Sequence, residues 1–352
     1  EDAVAQFSSA IGQEPNNPDY YIARGQMYEM LNKLPEARAD YEKSLVFAPK
    51  NAEAMISLAT VNNGLGNYKE ALRILNKAYK LENRNPGIFP QKVIALYNEG
   101  MYDQALAASD SGRIIKDTPM DYYWQGRIYQ SLKNTEKAID SYEKAISKDK
   151  KLSPPRVALA GVLLATDTKE AMAQCNEALK YNDRDTAAYL MRSKVYMKNL
   201  DPASAINDIS KCILIDPSNP AFYMQRGNFY LQLTQYQNAV NDFSKYISLR
   251  ENDVKGYYKR ATAYEGAGDV ERAKEDHINI TLVAKYDEKA RELLDSANKR
   301  MYELNREKAA PEIALISPSP VKDRIQVRGD KNDILVSGKI NDRSKIKSFS
   351  IN

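Results

Sequence analysis

The chain has 352 residues, of which 28% are charged and 43% are apolar, a composition typical of a soluble folded protein. Lys and Arg number 51 against 47 Asp and Glu, so the formal net charge is only +4. The segment from Pro311 to Asn352 holds eight basic and five acidic residues, which leaves the rest nearly neutral. A nucleic-acid-binding protein needs a concentrated basic face, so we expect no nucleic-acid partner.

Membrane insertion and the common forms of catalysis are also disfavoured. The longest apolar run, Val157 to Ala165, is far shorter than the ~20 residues of a membrane-spanning helix, so we expect no transmembrane segment in this chain. Cys175, Cys212 and His277 are the only cysteines and the only histidine, too few for a metal cage or Cys/His catalysis. No glycine-rich phosphate loop is present. We therefore predict no enzymatic activity, no cofactor and no metal.

The first fifteen residues already show the pattern that fills most of the chain. Ala3, Phe7, Ala10 and Pro15 are spaced as in the second helix of the repeats described below. We therefore expect a leading half repeat here, in a chain that is a processed or trimmed part of a longer protein.

A small residue then returns eight times, at steps of 33 or 34 residues. Around each one, apolar residues recur at helical spacing in two stretches, which a break such as Gly64 to Asn67 separates. Each repeat therefore predicts a hairpin of two amphipathic helices, and hairpins must stack because one alone cannot bury its apolar stripe. The returning small residues are Gly25, Ala59, Val93, Gly126, Ala160, Ser193, Gly227 and Ala261.

These repeats resemble the tetratricopeptide repeat. Residues 18–51 match its pattern through Tyr21, Gly25, Tyr28, Ala37, Tyr41 and Pro49, and residues 220–253 match through Tyr223, Gly227, Tyr230, Ala239 and Phe243. The resemblance implies an all-α fold, a solenoid of helix hairpins wound as a right-handed superhelix over residues 1–285, with about eight repeats after the half repeat.

Two repeats depart from this pattern. Residues 86–118 carry Phe89 and Pro90 at the start of the first helix and Gly112 where Ala is usual. Residues 153–185 open with Pro154 and Pro155 and lack the turn signal between the helices. We expect these two repeats to be the least regular.

The C-terminal part has two further predicted elements. Residues 286–309 form a charged helix with apolar residues along one side, which predicts a cap over the last hairpin, with a coiled-coil pairing helix as the alternative. In residues 310–352 the period changes to two, which predicts short strands at 312–317, 325–327, 334–340 and 346–351. They resemble the first half of a bacterial immunoglobulin-like sandwich, which needs ~100 residues. We therefore expect either that more chain followed Asn352, which we favour, or that the strands add to a partner.

The histidine and the cysteines are better explained by packing than by chemistry. His277 falls where other repeats carry Tyr41, Leu75, Tyr142 or Phe243, which is a packing position between helices. Cys175 and Cys212 lie on second helices, where a small apolar side chain fits. We therefore expect a buried histidine and buried free thiols, with a disulfide as the alternative if the chain is exported.

The resemblance assigns partner binding to a concave face formed by the first helices. Chaperone-tail clamps of the family use Lys at the fifth place of the repeat and Asn at the ninth, but the fifth places here hold Ile22, Ile56, Tyr123, Leu190, Met224 and Tyr258. The expected lining is instead apolar and aromatic with a few cations, which suits an extended or helical segment of another protein. The candidate partner-binding residues are Tyr123, Trp124, Arg127, Leu190, Lys194, Met224, Asn228, Tyr258 and Lys259. Trp124, Met191 and Leu190 could instead pack between repeats.

Two classes of function remain open. The first is a non-enzymatic protein–protein interaction scaffold in the bacterial cell envelope or periplasm, because the chain resembles exported envelope proteins of the Bacteroidetes type. The second is a regulatory or targeting arm of a larger enzyme, a protease or a signalling protein, whose catalytic domain lies outside this chain. A cytoplasmic location is the alternative to export, and the oligomeric state is open.

Overall fold

A computed structural model describes residues 2–284, 290–307, 312–317 and 337–341. It divides into two compact units, Glu1–Leu200 (unit 1) and Asp201–Asn352 (unit 2), a boundary that the repeat pattern did not predict. No helix of the described residues is both long and apolar enough to cross a membrane. The right-handed superhelix stays a prediction.

Unit 1 is a run of antiparallel helices in which each helix packs on its neighbours in sequence. The helix α1 leads, and four first helices (α2, α4, α6 and α8) alternate with four second helices before α10, α11 and α12 follow. The bounds are α1 Asp2–Gln13, α2 Pro18–Met30, α3 Leu34–Phe47, α4 Ala52–Gly64, α5 Tyr68–Leu81, α6 Ile88–Asn98, α7 Tyr102–Ile115, α8 Pro119–Ser131, α9 Thr135–Lys148, α10 Ser153–Leu163, α11 Thr168–Tyr181 and α12 Thr186–Lys198.

Unit 2 repeats the same arrangement. Its described elements are α13 Pro202–Ile215, α14 Pro220–Gln232, α15 Tyr236–Leu249, α16 Val254–Gly266, α17 Val270–Ala284, α18 Arg291–Glu307, β1 Glu312–Ser317 and β2 Ser337–Asn341. The helix α18 packs on α16 and α17 through Ala297, which forms a cluster with Ala290 just before the helix and with Val254, Ile280 and Ala284. The predicted capping helix at 286–309 overlaps α18 and extends into residues outside those described, and its role as a cap stays a prediction.

The strands β1 and β2 pair antiparallel, with Glu312 opposite Asn341 and Leu315 opposite Gly338. They coincide with the first predicted strand and overlap the third. The other two, 325–327 and 346–351, lie outside the described residues. Two paired strands do not define an immunoglobulin-like module, so that part of the expectation stays a prediction.

The helix starts follow from local chemistry. Asn51 and Asp185 are N-caps whose side chains accept from the backbone N–H groups of Ala54 and Ala188, and proline occupies the first or second position of six of the described helices, α2 for example. The first helices α6 and α10 have 11 residues, whereas the other first helices have 13. The two shortened helices lie in the two repeats that were predicted to be the least regular.

Within a hairpin, a ring on the second helix lies over a small residue on the first. A Cβ atom at Gly25 would lie 2.9 Å from Cε1 of Tyr41, and one at Gly227 would lie 2.6 Å from Cε1 of Phe243. His277 occupies the same position as these rings and is 2% exposed. Its Nε2 lies 3.0 Å from Oε1 of Glu265. The prediction of a buried histidine is confirmed, as is that of buried thiols, since Cys175 and Cys212 are buried and not disulfide-bonded.

A second device links successive hairpins, and we call it the Arg clamp. An Arg on a first helix donates twice to an Asp sixteen residues later on the second helix of its own repeat, and once to a Ser sixteen residues earlier on the preceding second helix. For Arg260 the distances are 2.8 and 2.7 Å to Asp276 and 3.0 Å to Ser244. Clamps that lie within one unit are Ser8–Arg24–Asp40, Ser210–Arg226–Asp242 and Ser244–Arg260–Asp276.

The fit between ring and small residue predicts a compensating pair of substitutions. We expect Gly126→Ala to lower the free energy of unfolding of unit 1 by about 2 kcal/mol, because the new Cβ overlaps the ring of Tyr142 in a fully packed site. Adding Tyr142→Leu should recover most of the loss, since Ala59 and Leu75 form the same pair elsewhere in unit 1. Urea unfolding followed by the fluorescence of Trp124, the single tryptophan, measures both.

Gly12→Ala is the matched control, because nothing lies within 4 Å of a Cβ at that helical position. It should be neutral or slightly stabilising. If Gly126→Ala is as well tolerated as Gly12→Ala, the close approach of α8 and α9 is not what holds the hairpin.

Candidate functional site

The first helices of unit 1 line a groove of about 700 Å³. Residues of α6, α8 and α10, together with the start and first turns of α12, form its walls, so the groove runs across successive repeats. Its lining includes Tyr97, Tyr123, Arg127, Val157, Ala158, Gly161, Asp185 and Met191.

The polar centre of this groove is Arg127. Its Nη1 donates to the hydroxyl of Tyr123 at 3.0 Å, and its Nη2 donates to the hydroxyl of Tyr97 at 3.3 Å. The guanidinium carbon also lies 5.4 to 5.9 Å from the ring centres of Tyr97, Tyr123 and Trp124, within cation–π range. The described residues provide no carboxylate within salt-bridge distance of Arg127, so its charge is held by aromatic groups alone.

The hydroxyl of Tyr97 accepts two hydrogen bonds, one from Arg127 and one from Ser131 at 3.1 Å. Burial raises the pKa of Tyr97, but the hydrogen bonds from Ser131 and Arg127 outweigh it, so the pKa lies below its ordinary value. This is the electrostatic signature of a phenol that faces an uncompensated cation.

The remaining floor of the groove is mainly apolar. Gly161 leaves room for Met191, whose Cε would lie 3.1 Å from a Cβ at that position. On the α12 side, Asp185 accepts from the hydroxyl of Ser153 and from the N–H of Ala188, so its charge is already engaged. The groove therefore offers one unengaged charge, which is positive, beside an apolar surface.

Unit 2 has a groove of its own, of about 780 Å³, between α14, α16 and Leu293 of α18. Met224, Asn228, Tyr258 and Lys259 line it, as do Arg250, Asp253 and Lys255. Asp253 accepts from the hydroxyl of Tyr246 at 2.6 Å. Burial, followed by this hydrogen bond, raises the pKa of Tyr246 to about 12. The three cations form no salt bridge among the described residues of unit 2, so this groove is positively charged too.

The nine residues predicted from the sequence fall into two sets. Six line the grooves: Tyr123 and Arg127 in unit 1, and Met224, Asn228, Tyr258 and Lys259 in unit 2. Trp124, Leu190 and Lys194 are partly buried and outside the lining of these two grooves. Trp124 packs against the cluster of Val93, Leu96 and Ile128, with its ring edge-on to Tyr97 and Tyr123.

Sequence reasoning missed Tyr97, Val157 and Gly161 as groove residues. Val157 and Gly161 occupy the fifth and ninth places of their repeat, so the rule that selected Tyr123 and Arg127 would also have selected them. Tyr97 lies further along its helix, at the twelfth place. It enters the site because its ring reaches the next first helix, which no spacing within one repeat shows.

The described residues contain no group of three or more His, Cys, Asp or Glu side chains that could hold a metal ion. The grooves also hold no pair of carboxylates placed for acid–base work, since Asp185 and Asp253 each serve a helix start.

Comparison with known proteins identifies the class. Two family models, both described as tetratricopeptide repeat, match residues 52–85, 122–151, 186–219 and 220–253 in one case and 1–52 in the other, together slightly more than half of the chain. The chain belongs to the tetratricopeptide repeat family. Repeat proteins of this family are generally protein–protein interaction scaffolds and are typically non-catalytic.

Individual relatives share the repeat but differ in overall length. Tetratricopeptide repeat protein 1 of Schizosaccharomyces pombe is 30% identical over 166 residues, which are 42% of this chain and 16% of that protein. Protein O-mannosyl-transferase TMTC3 of Homo sapiens is 25% identical over 238 residues, 62% of this chain and 25% of that protein. The crystal structure of a tetratricopeptide repeat protein from Parabacteroides merdae has a TM-score of 0.54 at 20% identity, covering 70% of this chain and 98% of that one. The chain thus spans a quarter or less of these two curated relatives.

The geometry around Arg127 predicts a measurable change in a phenol titration. In the unaltered chain Tyr97 should ionise below the ordinary value of ~10. In Arg127→Met its pKa should rise, because the variant removes a hydrogen bond and a positive charge while burial remains. Carbon-13 NMR of labelled tyrosines, with the Tyr97 signal assigned by its loss in Tyr97→Phe, measures both values.

The linked effect on stability has a definite sign. A depressed pKa in the folded chain means that the unfolded chain holds the proton more tightly, so Tyr97 contributes stability only at pH values above its folded pKa and none near neutrality.

An unchanged pKa of Tyr97 in Arg127→Met would show that the guanidinium does not donate to that hydroxyl.

Proposed function

We propose that this chain is a non-enzymatic scaffold whose first-helix grooves each hold a segment of a partner protein. The observation that carries the proposal is the half-buried guanidinium of Arg127, which is held by two tyrosine hydroxyls and lacks a carboxylate among the described residues. A cation in such a site is poised to bind an anion.

The chemistry of the groove indicates the kind of segment. A guanidinium carries five N–H donors, of which Arg127 uses two on tyrosine hydroxyls, so enough remain to bind a carboxylate at two points. Val157, Gly161 and Met191 offer an apolar surface beside it. The occupant that fits is a polypeptide segment with an Asp or Glu followed or preceded by apolar side chains.

The groove of unit 2 supports the same function. Its cations, Arg250, Lys255 and Lys259, outnumber its one carboxylate, Asp253, which is engaged by Tyr246. Asn228 and Tyr258 supply polar and aromatic contacts there. An acidic segment is again the complementary partner.

The alternative, a regulatory or targeting arm of a larger enzyme, has one supporting observation. The human relative is named as an O-mannosyl-transferase, and the part similar to this chain is only a quarter of it. Such an arm would bind through the same grooves, so the two functions differ in what the rest of the protein does. Sequencing the gene beyond both ends of the chain separates them.

We further propose a location in the bacterial cell envelope, as the strand pattern after Pro311 suggests. Cell fractionation with an antibody against the chain tests it. Recovery in the cytoplasmic fraction alone would favour the cytoplasmic alternative.

Photo-crosslinking in the native cell tests the proposed function. With a benzophenone amino acid in place of Val157, we expect crosslinked peptides that contain Asp or Glu beside apolar residues, because Val157 lines the groove with Arg127. Arg127→Gln should weaken binding of the corresponding synthetic peptide about 10-fold, the loss of a charge-assisted hydrogen bond.

The control places the same photoreactive residue at Lys144, an exposed residue on the second helix α9. It should not capture the peptide seen from Val157. Equal affinity of the peptide for Arg127→Gln and for the unaltered chain, or equal capture from both positions, would contradict binding in the groove.

A further inference from the structure

The repeats carry different residues at the position of the clamp Arg. In most of them, every charged side chain at the clamp positions has a partner. Repeats that lie within one unit complete the clamp in three cases, as in Arg24 with Asp40. In the repeat α4/α5 the two places hold Leu58 and Ile74, which are buried in one apolar cluster. In α8 the place holds Gln125, whose amide donates to Asp110 on the preceding second helix at 2.9 Å. These solutions leave no charge without a partner.

The repeat α6/α7 is the exception. Lys92 on α6 keeps the positive charge, but Ala108 stands where the clamp has Asp, and Asn76 stands where it has Ser. Lys92 is half-buried and forms no salt bridge in the described part of unit 1. Its Nζ lies 5.0 Å from the ring centre of Tyr79, and desolvation lowers its pKa. The cation therefore lies in a partly dry site without the anion that its counterparts possess.

A pocket of about 560 Å³ occupies this place, between the second helices α5 and α7 and above α6. Lys92, Asn76 and Ala108 line it together with an apolar wall of Tyr79, Phe89 and Met101, among others. The rings of Tyr79 and Phe89 meet edge to face at 5.9 Å. The pocket is much larger than a carboxylate, so it has room for the anion and for the apolar group that carries it.

We propose that this pocket binds an Asp or Glu side chain of a partner polypeptide, whose carboxylate pairs with Lys92 in the place of the absent aspartate. An apolar residue of the same partner packs on Tyr79, Phe89 and Met101. The open rim favours a polypeptide over a small molecule, because Tyr79 and Met101 line the pocket and are still 40% and 42% exposed. The site is separate from the proposed groove, which is lined by first helices, and it goes beyond that function.

The first test supplies the carboxylate within the chain. Ala108→Asp should raise the midpoint of thermal unfolding of unit 1, followed by Trp124 fluorescence, by about 2 °C relative to Ala108→Asn, because only the aspartate can pair with Lys92. The difference should vanish when Lys92→Met is present in both. Equal midpoints for Ala108→Asp and Ala108→Asn in the Lys92 background would overturn the pairing.

The second test supplies the carboxylate from outside. NMR titration of the full chain, followed at the signals of Tyr79 and Met101 in the pocket, should show at least ~10-fold tighter binding of the blocked dipeptide N-acetyl-Phe-Glu-amide than of N-acetyl-Phe-Gln-amide. Lys92→Met and Ala108→Asp should each abolish that preference, whereas Arg127→Gln, which tests the groove, should leave it intact. Equal binding of the two dipeptides would overturn the site.

Phenylacetate, with uncharged phenylacetamide as its control, tests whether the carboxylate comes from a polypeptide or from a small free acid. If phenylacetate binds as tightly as the Glu dipeptide, the pocket recognises small free acids and the assignment to a polypeptide is overturned. Weaker binding of phenylacetate supports the polypeptide.

Discussion

The close approach of the two helices in each hairpin is the constraint on which the structure depends. Each small residue of a first helix is paired with the residue sixteen positions later on the second helix. The smaller the first side chain is, the larger the second. Where the first helix carries Gly the second carries a ring, and where the first carries Val the second carries Ser. The pairs are Gly25–Tyr41, Ala59–Leu75, Val93–Ser109, Gly126–Tyr142, Gly227–Phe243 and Ala261–His277. Since interiors are packed as densely as organic crystals, such a fit selects one register of the two helices.

The Arg clamp acts at the next level. Packing joins the helices of one repeat, whereas Arg226 binds a second helix on either side, Asp242 in its own repeat and Ser210 in the preceding one. The Asp residues of the clamps are almost fully buried, so removing one partner would leave a buried charge. The clamp therefore specifies how hairpins are aligned with each other, where apolar contacts such as Leu58 with Ile74 could slide.

The sequence predicted the helices well and the site in part, for physical reasons that differ. Small residues at a fixed period predict hairpins because close packing tolerates few alternatives, and departures from that pattern mark the two repeats whose first helices, α6 and α10, are short. The Arg clamps were missed because a charged residue before Gly25 resembles a solvated one until its partner on another helix is known. Tyr97 was missed for the same reason, since its hydroxyl accepts a hydrogen bond from Arg127 of the following repeat.

An arginine lies either between second helices or in the groove of the first helices, according to its place beside the small residue. Arg24 immediately precedes Gly25 and points between second helices, where it meets Asp40. Arg127 immediately follows Gly126 and lines the groove of the first helices. Two residues along an α-helix correspond to a rotation of about 200°, so this shift transfers a guanidinium from one side of the helix to the other. The repeat α8/α9 thus places a charge in the groove, whereas α2/α3 and α14/α15 pair theirs with their own aspartates.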